Sequence, residues 1–263
     1  MKDFPVLETE RLHLVNICPC YTKDLYDILS RDNVTRYYGV DSLESIDEAA
    51  ELVEQIQTLF RQGRSIRWGL VLKETGQFIG TAGLNNIHYW NKKADIGYEL
   101  HPDFWRKGFM SEAVCCILEY AFEVMELYRI GALTYPENIP SIRLLKKLSF
   151  QQEGILRGYL QQSGRSHDVI MHSLLKPEWE KLNHQTGEEK LFPVQQREKK
   201  LYQLTTIPYL PHSTILAKEI KALKKEIHQL KGRERRKKEK LLKKKLKMYQ
   251  QICPHSLKDR LIK

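Results

Sequence analysis

A mixed α/β sandwich of the α+β kind, with one crossover at its centre, is the fold this sequence predicts. Two observations predict it. A meander of strand-like apolar runs fills the first hundred residues, and it is followed by helix, strand, helix and closing strands. At 263 residues and 41% apolar content there is room for one large domain, or for a medium domain with an appendage, around a real core.

Taken in order, "RLHLVNI" alternates apolar and polar residues in strand fashion. Asp24–Ser30 and Asp47–Gln62 read as helices, the second opening with acids that suit a helix N-terminus. "SIRWGLVLKETGQFIGTAGLNNI" is two apolar runs around Glu74, Thr75 and Gly76, a hairpin signal. "KADIGYELHP" is a strand ending at Pro102, and a helix follows it to about Met125. "YRIGALTYP" is a strand, "NIPSIRLLKKLSF" a helix ending at a short strand, and "GRSHDVIMHSLL" a last strand. This body closes near "KPEWEKL", giving a domain at 1–183.

Beyond it the pattern changes. Residues 184–212 are polar and read as a linker, and 213–263 as a basic helical tail. Leu216, Ile220, Leu223, Ile227 and Leu230 step by alternating four and three, a short coiled-coil-like seam interrupted at Gly232. A second helical stretch carries Leu241, Leu242, Leu246, Tyr249 and Ile252. The net charge of +10 is split unevenly: 1–183 hold 21 basic and 25 acidic residues, −4, whereas 184–263 hold 22 and 8, +14. So dense a basic segment is expected to contact a polyanion such as RNA or the ribosome.

No run approaches the roughly 18 apolar residues of a membrane span, and the N-terminus lacks a signal-peptide core. The five cysteines match no zinc spacing, and their odd number points to reduced packing thiols in the cytoplasm. No metal is expected.

The stretch "HPDFWRKGFMSEAV" puts Arg106, Lys107 and Gly108 at the entrance to an apolar helix. A helix N-terminus offers free N–H groups and a positive dipole end, and a glycine there lets a phosphate approach the backbone. The spacing lacks the Gly-Lys-Ser/Thr of a P-loop and the three glycines of a dinucleotide fingerprint.

The body resembles the GNAT-superfamily acyl-CoA N-acyltransferases, and more narrowly the ribosomal-protein-alanine N-acetyltransferases of the RimJ/RimL type. The resemblance rests on "LETERLHL" at Leu7–Leu14, "IGYELHPDFWRKGFMSEA" at Ile96–Ala113, "NIPSIRLLKKLSF" at Asn138–Phe150, "EGILRG" at Glu153–Gly158 and "HDVIMHSLL" at His167–Leu175, in family order. Trp105 and Met110 depart from the usual Arg/Gln and Gly/Ala of the phosphate loop, and Lys146 and Ser149 stand where a glutamate and a glycine are common.

The resemblance implies a mixed, mostly antiparallel central sheet flanked by helices, with acetyl-CoA as co-substrate. It implies pyrophosphate on the N–H groups of Arg106, Lys107, Gly108, Phe109, Met110 and Ser111. Asn138 would hold the pantetheine arm and Ser141 would bond the departing sulfur. The thioester would lie where "GYEL" splays from "ALTYP", its carbonyl polarised by the N–H near Leu100. Glu99 is then the best-placed base, with His101 and His167 as lesser candidates. Cys115 and Cys116 raise an acyl-cysteine route, which direct attack by the amine makes unnecessary.

An α-amine is about a tenth to a fifth neutral at pH 7, a lysine amine only about one part in a few thousand. With one candidate base, a protein N-terminus is the expected acceptor. The alternatives are a small-molecule or antibiotic amine, or a CoA-fold module whose tail binds RNA. Tyr37, Tyr38, Tyr89 and Trp90 are expected at the acceptor's entrance.

Overall fold

The computed structural model describes residues 4–185, together with Glu239, Leu242 and Lys243. Those three are helical, and Pro208–Lys263 form a unit separate from Met1–Ile207. The linker, the heptad seam and nearly all of the basic run lie outside the described residues.

In chain order the elements are β1 (Leu7–Glu8), β2 (Leu12–Asn16), α1 (Thr22–Leu29), α2 (Asp32–Thr35), α3 (Ile46–Arg61), β3 (Ile66–Leu72), β4 (Phe78–His88) and β5 (Lys93–Leu100). Then come α4 (Phe109–Glu119), β6 (Arg129–Thr134), α5 (Ile139–Lys147), β7 (Gln151–Gln162), β8 (Arg165–Leu175) and α6 (Lys176–Gln185). The strands form one sheet in the order β1-β2-β3-β4-β5-β6-β8-β7. Every pairing is antiparallel except β5 with β6, where the chain crosses over through α4. The fold is the mixed, mostly antiparallel sheet with flanking helices that the sequence implied.

Helices cover both faces. On one, Leu25, Ile28 and Leu29 of α1 and Val53 and Ile56 of α3 close over Ile17, Val71 and Phe78. Burying such aliphatic side chains contributes about 1.5–3 kcal/mol each. Helix α3 starts where it does because the Ser45 hydroxyl accepts the Glu48 N–H at 3.3 Å while the Glu48 carboxylate accepts the Glu44 N–H. On the other face α4 packs over β2 and β4, and Trp68 meets Tyr120 edge-on at 5.7 Å.

Three expectations need correction. The helix to Met125 is α-helical only to Glu119 and then takes one π turn, Tyr120–Val124, with Met125 N–H bonding Tyr120 O. The short strand after α5 is twelve residues long, β7, running as a mostly exposed edge strand. Cys18 and Cys20 are joined in a disulfide rather than reduced; the Pro19–Tyr21 turn sets their Cα atoms 5.2 Å apart, within disulfide range. Cys115 and Cys116 are free thiols.

Candidate active site

The site begins with a break in the sheet. β5 and β6 pair only through Lys93, Ala94 and Asp95 with Arg129, Ile130 and Gly131, and beyond them the strands part. A cleft of about 800 Å³ occupies the gap. It reaches Ile96, Gly97 and Tyr98 of β5, Ala132 to Thr134 of β6, Ser141 of α5 and its cap Asn138 on one face of the sheet, and Glu51 and Leu52 of α3 on the other. The cleft therefore runs through the sheet, with a mouth on each face.

His101 N–H bonds Ile79 O, so the alternation of an antiparallel ladder turns the N–H groups of Tyr98 and Leu100 away from β4 and toward the gap. The Leu100 carbonyl is taken by the Trp105 indole at 2.7 Å, which fixes the next loop against the end of β5. Trp105 thus does structural work in the first place of the loop.

That loop is the predicted anion site. Gly108 caps α4 in a left-handed conformation with φ +83°, and Arg106 is left-handed too, at +61°. The first helical bond of α4 is Glu112 N–H to Gly108 O, so the N–H groups of Phe109, Met110 and Ser111 have no acceptor within the helix. Met110 is buried: its bulk goes into the core and leaves the loop open. A Cβ at residue 108 would come within 3.3 Å of the Arg11 guanidinium, so glycine takes the left-handed cap without strain and without displacing that side chain. These donors fit a diphosphate.

At the head of α5, Asn138 Oδ1 accepts the Ser141 N–H at 3.2 Å. The Ser141 hydroxyl lies 2.7 Å from the Tyr98 hydroxyl, and burial pushes the Tyr98 phenol up to about 12, so it stays protonated. The two hydroxyls form a protonated pair facing the gap.

Glu99 faces the opposite side of the sheet from Tyr98. Its carboxylate is buried, accepting hydrogen bonds from Arg67 and from the Thr81 hydroxyl. Arg67 also donates to Thr81 at 2.7 Å and to the Tyr38 hydroxyl at 2.6 Å. Burial raises the Tyr38 phenol, and the Arg67 guanidinium is held charged by Glu99 against burial's pull. Arg67 and Tyr38 line the through-sheet cleft, and Glu99 lines a smaller pocket of about 140 Å³ that shares Arg67, Tyr38 and Leu52 with it.

Sequence reasoning missed Arg67, Thr81 and Tyr98. Arg67 left a signal, a cation inside an apolar strand that must find a partner. His101 bridges to Asp27 at 3.2 Å and accepts the Asp103 N–H. His167 packs on Tyr135 and contacts the Gln162 carbonyl. Of the four aromatics expected at the entrance, Tyr37 and Tyr38 line the cleft, whereas Tyr89 and Trp90 do not, and Trp90 is 95% exposed. Burial pushes both Cys115 and Cys116 thiols up to about 12, leaving little thiolate for an acyl-cysteine.

Charge is divided along the site. Asp41, Glu48, Glu51 and Asp95 line the cleft together with the Arg67 guanidinium, while Arg106 and Lys107 stand just before α4, outside the residues that line it. Among the described residues no cluster could hold a metal ion, and no helix is long and apolar enough to cross a membrane.

Comparison with known proteins matches residues 11–151 to the acetyltransferase (GNAT) domain. The uncharacterized N-acetyltransferase YoaA of Bacillus subtilis is 40% identical over 66% of this chain and 98% of its own. The [ribosomal protein uS5]-alanine N-acetyltransferase of Escherichia coli is 30% identical over 47% of this chain and 64% of its own. In fold, the chain is similar to Mycobacterium smegmatis RimJ solved with CoA-disulfide, with a TM-score of 0.61 and 21% identity over 66% of this chain and 88% of that one. A sheet split between β5 and β6, an anion cradle at the head of the crossover helix and these relatives agree: the chain belongs to the GNAT family of N-acetyltransferases, enzymes of acetyl transfer.

Proposed function

We propose that the acceptor is the α-amine of a protein N-terminus, and that acetyl-CoA and the amine enter by opposite mouths of the cleft. One observation carries the reading: four carboxylates line the cleft, while the cations and free N–H groups of the loop stand at the head of α4, outside its lining. Free N–H groups, Arg106 and Lys107 suit the phosphates of a CoA thioester on the side of α4, and four carboxylates suit an ammonium group on the side of α3.

In this reading the amine nitrogen attacks the thioester carbonyl carbon. The N–C bond forms and the C–S bond breaks. The thiolate takes a proton from the Ser141 hydroxyl, resupplied through Tyr98, and the amine loses its own proton to water in the cleft, which returns it to Tyr98 so that both hydroxyls end protonated. The Leu100 N–H stabilises the oxyanion, the Tyr98 N–H, one strand repeat away, is left for a carbonyl of the pantetheine arm, and Asn138 Nδ2 is free to bind a pantetheine amide while its Oδ1 caps α5.

Glu99, His101 and His167 are all engaged, so the acceptor must be partly neutral by itself at pH 7, as an α-amine is. Glu99 then acts by holding Arg67 and Tyr38 at the acceptor's wall. The name of the Escherichia coli relative agrees with a protein N-terminal alanine as acceptor.

The test follows release of the CoA thiol with three acceptors: a short alanine-first peptide, the same peptide N-blocked with an internal lysine, and a small diamine. Turnover is expected on the free N-terminus at least about tenfold above either competitor, in line with the neutral fractions of the amines. Preference for the diamine would move the enzyme to small-molecule amines, and preference for the lysine would require a true base.

A further inference from the structure

We propose that Arg11, the residue just before β2, is a positioning residue for the anion site: it aims the Gly108 amide and cancels the charge of Glu112, so that the loop can take a diphosphate. The proposal rests on the reading of Arg106–Ser111 as the phosphate cradle.

Arg11 is far from this loop in sequence, yet its whole polar edge is spent there. Nη1 donates to Lys107 O at 3.0 Å, and Nε donates to Glu112 Oε2 at 2.7 Å. Nη2 lies 2.7 Å from the same Glu112 oxygen, and the Arg11 backbone N–H donates to Oε1 at 2.8 Å. The guanidinium also sits 4.3 Å from the centre of the Phe109 ring. Among the described residues, this places one side chain on the residue before Gly108, the residue after it, and the first turn of α4.

Two consequences follow from elementary geometry and charge. The peptide bond is trans, so its C=O and N–H point in opposite directions. Holding the Lys107 carbonyl toward Arg11 therefore turns the Gly108 N–H the other way, out of Arg11's reach and open to a ligand. Glu112 is the acid of the first turn of α4. A carboxylate there suits the helix dipole but repels an anion arriving at the same amides. The two-pronged contact from Arg11 spreads a positive charge over it, and the Glu112 side chain is only 15% exposed, so solvent screens it weakly.

The experiment measures acetyl-CoA binding calorimetrically on the full chain, with inorganic pyrophosphate as a competing probe and the melting temperature of the free protein as the folding control. Arg11→Ala is expected to weaken acetyl-CoA about tenfold, the scale of one charge-assisted contact, and to weaken pyrophosphate competition in parallel. Arg11→Lys keeps charge but loses the fork, and a loss of about threefold is expected. The decisive arm is the double variant R11A/E112Q, expected to recover most of the loss, because the uncompensated carboxylate is gone; a merely structural brace would not be rescued this way.

Arg11→Ala within about twofold of wild type, or a double variant weaker than Arg11→Ala, would overturn the role. Gly108→Val separates the layers. If it abolishes acetyl-CoA binding while Arg11→Ala binds normally, the cradle stands and Arg11 is excluded. If Gly108→Val binds like wild type, both the cradle and the role of Arg11 fall.

Discussion

Glu99 is one residue along β5 from Tyr98, and that single step puts the two side chains on opposite faces of the sheet. Position in the sequence makes Glu99 a candidate base; its contacts pair it with a buried guanidinium, and we propose that this pairing is its role. Glu99→Gln should therefore cost about 3–5 kcal/mol of stability, the usual penalty for stripping a buried charge of its partner, read as a fall in melting temperature. Whatever turnover remains should be reduced by the same factor at pH 7 and pH 9; a deficit that vanishes at pH 9, where the amine deprotonates unaided, would restore Glu99 as base. The residue scale also shows what a sequence makes legible. The Gly108 cradle depends on neighbours in the chain and can be read there. The partner of Arg67 cannot, because it lies 32 residues away and reaches Arg67 only through the register of β3, β4 and β5. Ser149 is intermediate: it takes φ +64° at the end of α5, a left-handed conformation that glycine adopts without strain.

Among the elements, β7 was the least readable. "QQEGILRGYLQQ" is exposed along most of its length and its register slips twice against β8, so no period-two pattern announces it. The central strands were legible because burial imposes a pattern on them. What ties β7 in is an ion pair across three strands. Glu153 of β7 accepts two hydrogen bonds from Arg129 of β6 and one from Ser173 of β8, which hold its carboxyl near 2. A carboxyl depressed in the folded state stabilises the fold above its ordinary value near 4.5, and this contribution fades as the pH falls toward 2. Replacing Glu153 by Gln should flatten the loss of melting temperature between these pH values and leave neutral stability less affected by acid; an unchanged acid limb would mean that other carboxylates set it. His172 adds a limb at higher pH. Burial lowers its value, so it is neutral in the fold and disfavours folding as the pH drops below about 6.5.

For the whole molecule, the charge asymmetry separates an acidic enzyme body from a +14 extension. Deleting 213–263 should leave turnover of a short acceptor peptide intact and reduce co-sedimentation with ribosomes at low salt, an effect that disappears at high salt where wild type also dissociates. Equal low-salt association without the tail would remove the polyanion role. At this scale the layered fold was legible from the alternation of strand and helix patterns, whereas the through-sheet cleft was not, since it is made of what two strands fail to do. That failure has a mechanical side. The sheet is two half-sheets, β1 to β5 and β6 to β7, fastened along three residue pairs at one end like a jaw on a short hinge. A guest whose own amides reach across supplies the missing rungs. The Tyr98 and Leu100 amides should then exchange hydrogen quickly with solvent in the free protein and slow sharply when acetyl-CoA is added, while that of Glu99, already bonded within the β4–β5 ladder, stays slow throughout. Binding would in this way be the step that finishes folding the sheet.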